Sequence, residues 1–134
     1  MKQEGDNSSK KMEPTKAELE ILHILWACGP STVRFVNDKL NEQREVNYTS
    51  TLKVMQIMTD KGILQRDESR MKHIYHAAEG EQKTQKHLLD KFVESVYQGS
   101  AGTLVMQVLG NKKASKEDLD SIREILERLG QQTD

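Results

Sequence analysis

Three consecutive hydroxyl residues, Thr49, Ser50 and Thr51, stand near the start of a predicted helix. Ala or Leu would favour a helix more strongly here, because Ser and Thr side chains compete for hydrogen bonds with the backbone. Short hydroxyls can instead donate hydrogen bonds to phosphates or base edges, and a Thr methyl group can contact thymine. The three residues therefore indicate either contact with nucleic acid or, more simply, capping of the helix.

The helical period separates the two faces of this segment. With Met55 at the centre of the buried face, a step of about 100° per residue turns Thr51, Leu52 and Met58 inward. The helix N-terminus adds N–H groups that suit a phosphate. The outward face carries Thr49, Ser50, Lys53, Gln56 and Ile57. We predict that the residues of this helix that bind DNA are Tyr48, Thr49, Ser50 and Lys53.

Basic residues also gather around a predicted hairpin that follows the helix. Arg66, Arg70, Lys72 and His73 lie on or beside its tip, where a wing would meet the DNA backbone. A charged hairpin tip is ordinarily a solvated turn, and that reading stays open. The predicted wing contacts are Arg70, Lys72 and His73.

The elements that position these residues follow a simple order. Thr15 and Glu18 form a capping box for a first helix, which Gly29-Pro30 ends. Ser31 or Thr32 caps a second, shorter helix, and Asn47 caps the third, which runs to about Asp60. The pattern then alternates over residues 63–66 and 73–75, which predicts two short strands. Three helices and a hairpin predict a winged helix-turn-helix domain over residues 14–80.

Residues 81–134 have helical patterns again and predict a three-helix tail. The tail helices have wide apolar faces, and about fifty residues rarely close a core alone. Pairing with a second copy would bury these faces in a symmetric dimer. The predicted dimerisation residues are Leu88, Phe92, Val96, Leu104, Val108, Leu119, Ile122 and Leu126. The fold class is therefore mainly α with a small β-hairpin.

Composition narrows the class of protein. No apolar run is long enough to span a membrane, so no membrane insertion is expected. Residues 1–13 are polar, which predicts a disordered arm and not a secretory signal. The single cysteine, Cys28, cannot form a disulfide framework and fits a reducing cytoplasm, which is the expected location. The net charge of −1 means that any DNA-binding charge must be gathered on one face.

Catalytic and metal-binding patterns are missing from the sequence. His23, His73, His76 and His87 lack the spacing of a metal-ligand set. There is no glycine-rich phosphate loop and no nucleophile-elbow motif. We predict a protein that is not an enzyme and that uses no cofactor or metal.

Four segments, taken together, resemble the BlaI/MecI/CopY family of bacterial repressors, the penicillinase-repressor family. TKAELEILHILW is similar to its first helix, and VNYTSTLKVMQIMTDKGIL to its recognition helix with the following turn. GSAGTLVMQVL and SKEDLDSIREIL are similar to its second and third tail helices. The resemblance runs from Thr15 to about Leu129, in order.

The resemblance implies a dimeric winged-helix repressor that binds palindromic operators in double-stranded DNA. It also implies that a membrane sensor protease relieves repression by cutting the short tail helix, at the position of Gln107-Val108. Three features depart from the family: the cut pair is usually Asn-Phe, the copper-responsive branch has Cys-x-Cys pairs, and the wing usually carries Gly-Arg. Here Ser69-Arg70 or Met71-Lys72 replaces that last pair.

A second hypothesis is a winged-helix module that binds another protein without specific DNA binding. The near-neutral charge favours it slightly. The outward face of Thr49, Ser50 and Lys53 and the self-complementary tail disfavour it.

Overall fold

The computed structural model describes residues 13–111 and 115–132. The arm predicted for residues 1–13 lies outside these ranges, apart from Glu13. The chain divides into two compact units, one that ends at Leu89 and one that begins at Asp90.

Helix α1, Lys16–Cys28, begins with the predicted capping box. The Thr15 hydroxyl accepts a 3.2 Å hydrogen bond from the Glu18 amide, and the Glu18 carboxylate accepts one of 2.9 Å from the Thr15 amide. The helix ends at Gly29, whose φ of +87° is costly for a residue with a Cβ atom. Both predicted ends of this helix are confirmed.

Helix α2, Val33–Asn41, is capped by Thr32, whose hydroxyl accepts from the Phe35 amide at 3.1 Å. Ser31, the other candidate cap, has a different role. Its backbone pairs with that of Tyr75 through N–H to O bonds of 2.9 and 2.8 Å. The start of α2 is therefore tied to the hairpin by a pairing that the sequence did not predict.

Helix α3, Tyr48–Asp60, begins at the predicted cap, since the Asn47 side chain accepts from the Ser50 amide at 2.8 Å. The hairpin follows as β1, Leu64–Asp67, and β2, Ile74–Ala77, paired antiparallel with Leu64 opposite Ala77. Each strand starts one residue later than predicted. His73 therefore belongs to the turn and not to the second strand.

The core of the first unit lies where the three helices meet the hairpin. Tyr75 is its largest fully buried side chain, and the indole N–H of Trp26 donates to the Glu79 carbonyl at 2.9 Å just beyond β2. The buried apolar residues are Ile21, Leu22, Leu25, Val33, Val36, Leu40, Met55, Met58, Ile63, Leu64 and Tyr75. This cluster fixes the orientation of α3 and of the strands beside it.

A buried ion pair joins the first and third helices. The Lys61 ammonium lies 2.8 and 3.0 Å from the two carboxylate oxygens of Glu18, whose side chain is only 5% exposed. Lys61 is the C-terminal cap residue of α3, so its charge lies at the negative end of that helix. Glu18 therefore stabilises both the start of α1 and the end of α3.

Helix α4, Glu81–Tyr97, contains the boundary between the two units. In the second unit, Gln98 and Gly99 adopt positive φ, and helix α5, Ala101–Asn111, follows. Helix α6, Lys116–Gln132, begins where the Ser115 hydroxyl accepts from the Asp118 amide at 3.0 Å. The three predicted tail helices are confirmed.

Candidate nucleic-acid interface

Helix α3 has one buried and one exposed face, as its period predicts. Thr51, Met55 and Met58 are buried. The exposed face begins at Thr49 and Ser50, in the first turn, and includes Lys53, Gln56 and Ile57. Thr49, Ser50 and Lys53 thus form one outward surface on the N-terminal half of α3.

The third hydroxyl of the row has a structural role. The Asn37 side-chain amide donates a 2.8 Å hydrogen bond to the Thr51 hydroxyl, and both side chains are buried. The same amide donates to the Val46 carbonyl at 3.0 Å. Asn41 also donates to that carbonyl, at 2.8 Å, and accepts from the Val46 amide at 3.1 Å. Two asparagines of α2 therefore hold the turn that leads into α3.

Sequence reasoning missed this network, although the pattern carried a signal for it. Asn37 follows Val36 on the buried stripe that also contains Val33 and Leu40. A polar side chain at such a position needs a partner, because burial without one is costly. The hydroxyl of Thr51, predicted to face inward, was a suitable acceptor.

Arg34 is a second residue that the sequence did not single out. Its guanidinium carbon lies 5.0 Å from the centre of the Tyr48 ring, which is a cation–π contact between α2 and α3. Tyr48 is 40% exposed, and Arg34 is exposed as well. The contact depends on how two helices cross, which no local pattern reveals.

The wing residues Arg70, Lys72 and His73 are all exposed. Asp67 shapes the turn by accepting from the Ser69 amide at 2.9 Å. Arg66 differs from them, because its guanidinium contacts the Glu68 carboxylate at 2.6 Å and lies over the Tyr75 ring. Hydrogen bonds with Tyr75 and then Glu68 raise the pKa of Arg66 above its ordinary value. Its charge is therefore directed to its own hairpin.

An open groove of about 450 Å³ lies between the start of α2, the start of α3 and the wing. It brings Tyr48, predicted on the helix, together with Lys72 and His73, predicted on the wing. It also adds Arg34 to them. Thr49, Ser50, Lys53 and Arg70 lie outside its lining.

The predicted dimerisation residues are largely uncovered within one chain. Phe92, Val96, Val108, Leu119 and Leu126 are between 45% and 61% exposed. Leu88, Leu104 and Ile122 are half-buried. Such a density of exposed large apolar side chains is typical of a surface that meets a partner.

The predicted cleavage position, Gln107-Val108, lies inside α5. The Tyr97 hydroxyl donates a 2.6 Å hydrogen bond to the Gln107 side chain, and Val108 is 47% exposed. The bond between these two residues is therefore helical and near the surface of its unit.

Residues 13–111 and 115–132 also bear on metal binding and on membrane insertion. No group of three or more His, Cys, Asp or Glu residues within these ranges could hold a metal ion. None of the helices described there is long and apolar enough to cross a membrane.

Comparison with known proteins gives a consistent result. A family model described as the penicillinase repressor matches residues 14–128. The methicillin resistance regulatory protein MecI of Mammaliicoccus sciuri is 20% identical over 120 residues, which cover 90% of this chain and 98% of that protein. The MecI proteins of Staphylococcus aureus strain N315 and Staphylococcus epidermidis are each 19% identical with the same coverage.

Proposed function

Because this chain belongs to the penicillinase repressor family, and is therefore a transcriptional repressor, we propose that it acts as a homodimer on a palindromic DNA operator. The observation that carries the proposal is that the three consecutive hydroxyl residues of α3 face different sides of the helix. Thr51 is locked inward by Asn37, and this leaves Thr49 and Ser50 on the outward surface beside Lys53.

Helix α3 is the recognition helix in this proposal. Beyond Tyr48, the first turn presents the short hydroxyls of Thr49 and Ser50 outward, so the backbone there can approach the floor of the major groove closely. Lys53 supplies a charge one turn further along, within reach of a phosphate. Tyr48 stands at the entry to the helix with the Arg34 guanidinium over its ring. Contacts of both kinds, to bases and to phosphates, are thus available from one helix face.

The wing supplies further backbone contacts. Arg70 and Lys72 are basic side chains, and His73 adds a donor in the same turn. The pairing of Ser31 with Tyr75 holds the base of the hairpin against the helices. The wing can therefore contact sugar and phosphate while α3 reads bases, and Lys72 is its central charge.

In this proposal, dimerisation through the three tail helices compensates for the weak net charge of each winged-helix domain, which we call the head. The exposed apolar side chains of α4, α5 and α6 would be buried against the same surface of a second copy. Two heads held together gain affinity through effective concentration, by roughly 10²–10⁴. Their half-sites should be separated by one helical turn of about 10 bp, or by a multiple of it.

In this proposal the dimer releases its operator when the tail is cut. We propose that a membrane sensor protease cuts α5 at or near Gln107-Val108, which separates the heads without altering Thr49, Ser50 or Lys53. Gly102 and Gly110 lie within α5, and glycine lowers the stability of a helix interior. Local opening of such a helix would expose its backbone to a protease.

The proposed function is tested by a gel shift with the full chain and the DNA upstream of its own gene. A shift that survives excess unrelated DNA and that footprints on an inverted repeat is expected. Binding that unrelated DNA abolishes would contradict it and favour the protein-binding module. If the specific shift is observed, the genes next to its own identify the sensor protease to be tested.

A further inference from the structure

The groove between α2, α3 and the wing has a lining that DNA binding alone does not require. Tyr48 and Leu52 give it aromatic and aliphatic surface, whereas a sugar-phosphate chain needs only donors and positive charge. Its volume of about 450 Å³ lies within the range of roughly 300–1,000 Å³ that small-molecule sites occupy.

The charge at this groove is positive and uncompensated by its own lining. Arg34 and Lys72 lie on opposite elements, one on α2 and one in the wing, with His73 beside the latter. Among the described residues that line the groove there is no Asp or Glu. An anion placed between them would meet donors from both sides.

A second open groove, of about 360 Å³ between α1 and α2, shows that a groove of this size need not carry surplus positive charge. Its lining contains Lys39 and Arg44, but each is paired with a carboxylate of the same lining. Arg44 lies 2.6 Å from Glu20, and Lys39 lies 3.7 Å from Glu42. That groove has comparable size and no surplus of positive charge.

Arg34 is also held in place before any ligand arrives. Its guanidinium lies over the Tyr48 ring, which reduces the freedom that the side chain would lose on binding. Guanidinium groups bind carboxylates through two parallel hydrogen bonds. The edge of the groove is therefore a prepared site for a carboxylate, next to the aromatic surface of Tyr48.

We infer that this groove binds a small amphipathic anion, an aromatic carboxylate, and that the bound ligand releases the operator. The ligand would lie between the recognition helix and the wing, bound by Arg34 and Lys72, where it competes with DNA for Lys72 and separates two surfaces that must contact DNA together. The release step rests on the proposed function, whereas the binding step does not. Such a ligand would be an inducer that leaves the tail intact.

The binding step is tested by titrating the ¹⁵N-labelled full chain with 2-naphthoate. Saturable shifts of the Arg34, Tyr48, Lys72 and His73 amides are expected. The neutral analogue 2-naphthamide and inorganic phosphate should bind far more weakly, because one lacks the charge and the other the ring. Equal binding of either compound, shifts confined to other residues, or no saturation at millimolar ligand would overturn the site.

Variants separate this site from the rest of the interface. Arg34→Gln and Lys72→Gln should each weaken naphthoate binding by about tenfold, as expected for loss of a charge-assisted hydrogen bond. Lys53→Gln removes the same charge outside the lining and should leave naphthoate binding unchanged. Lys72 is in an exposed turn, so this variant remains informative if Arg34→Gln does not fold. Equal affinity of Lys72→Gln and the unaltered chain would contradict the assignment.

The release step is tested by fluorescence anisotropy with labelled operator. Saturating naphthoate should lower operator affinity by at least tenfold, and naphthamide should have no effect. Unchanged operator affinity in saturating naphthoate would overturn the role in release. A chain that binds no operator without ligand would contradict the proposed function, while the titration still decides whether the groove binds the anion.

Discussion

The Asn37 amide donates a 2.8 Å hydrogen bond to the Thr51 hydroxyl, and both side chains are buried. This contact joins α2 to α3 through two polar side chains that water barely reaches. Together with the buried Met55 and Met58, it holds α3 in the rotation that turns Thr49 and Ser50 outward. Contacts within the core therefore determine which side chains α3 presents at its surface.

Replacing Asn37 by Ala should destabilise the protein by about 1–3 kcal/mol, because the Thr51 hydroxyl and the Val46 carbonyl lose a buried donor. Thr51→Val should cost less, near 1 kcal/mol, since Asn37 keeps its bond to Val46. Urea unfolding of both variants and of the double variant measures the coupling. Strictly additive losses would show that the two side chains do not interact.

Replacing Glu18 by Gln should destabilise the protein by about 2 kcal/mol or more, because Lys61 then has no buried counter-charge. Glu20→Gln is the matched control. It breaks an ion pair of similar geometry with Arg44 at a surface site, so no measurable loss is expected. Thermal unfolding distinguishes the two. Equal effects would mean that burial does not strengthen the Glu18–Lys61 pair.

Lys53→Ala should weaken operator binding and lower the slope of log affinity against log salt by about one. Thr49→Ala and Ser50→Ala should instead change affinity by roughly 1–3 kcal/mol at single base positions. Lys39→Ala, which removes the same charge from the groove between α1 and α2, is the control. If the three α3 variants, Lys53→Ala, Thr49→Ala and Ser50→Ala, all bind like the unaltered chain, the outward face of α3 does not contact the operator.

Leu126→Lys should convert the proposed dimer to a monomer, because it places a charge within the apolar stripe of α6 that includes Leu119 and Ile122. Glu124→Lys changes charge on the opposite side of the same helix and should remain dimeric. Light scattering at tens of micromolar protein reports the mass. A monomeric mass for the unaltered chain would refute the dimer itself.

Co-expression with the sensor protease and its inducer should give two fragments divided inside residues 100–112. Mass spectrometry of the fragments locates the bond. Gly102→Ala and Gly110→Ala, which strengthen the helix and leave the proposed scissile pair unchanged, should slow cutting if local opening of α5 limits the rate. Derepression with the chain intact would exclude proteolysis and would agree with release by a small anion.

The fold could be predicted closely because each element carries its own local signal. The capping box at Thr15, the Asn47 cap and the helix end at the positive-φ Gly29 are encoded within a few residues. The outward face of α3 followed from its period alone. Local rules of this kind fix where helices begin, where they end and which side is buried.

The parts that escaped prediction depend on residues distant in sequence. Nothing in the local sequence around Lys61 indicates its ion pair with Glu18, because the two residues are 43 positions apart. Arg34 contacts Tyr48 only because two helices cross there. The wing contacts and the dimer surface stay predictions, since DNA and a second copy are what would test them.

The pairing of Ser31 with Tyr75 has a consequence for the turn of the wing. Both bonds are made by main-chain atoms, so the base of the wing is fixed without depending on the Ser31 side chain. The residues between the strands, 68–73, extend beyond this closure and contribute nothing to the buried core. We therefore expect that this turn can be exchanged or lengthened with little effect on the stability of the first unit.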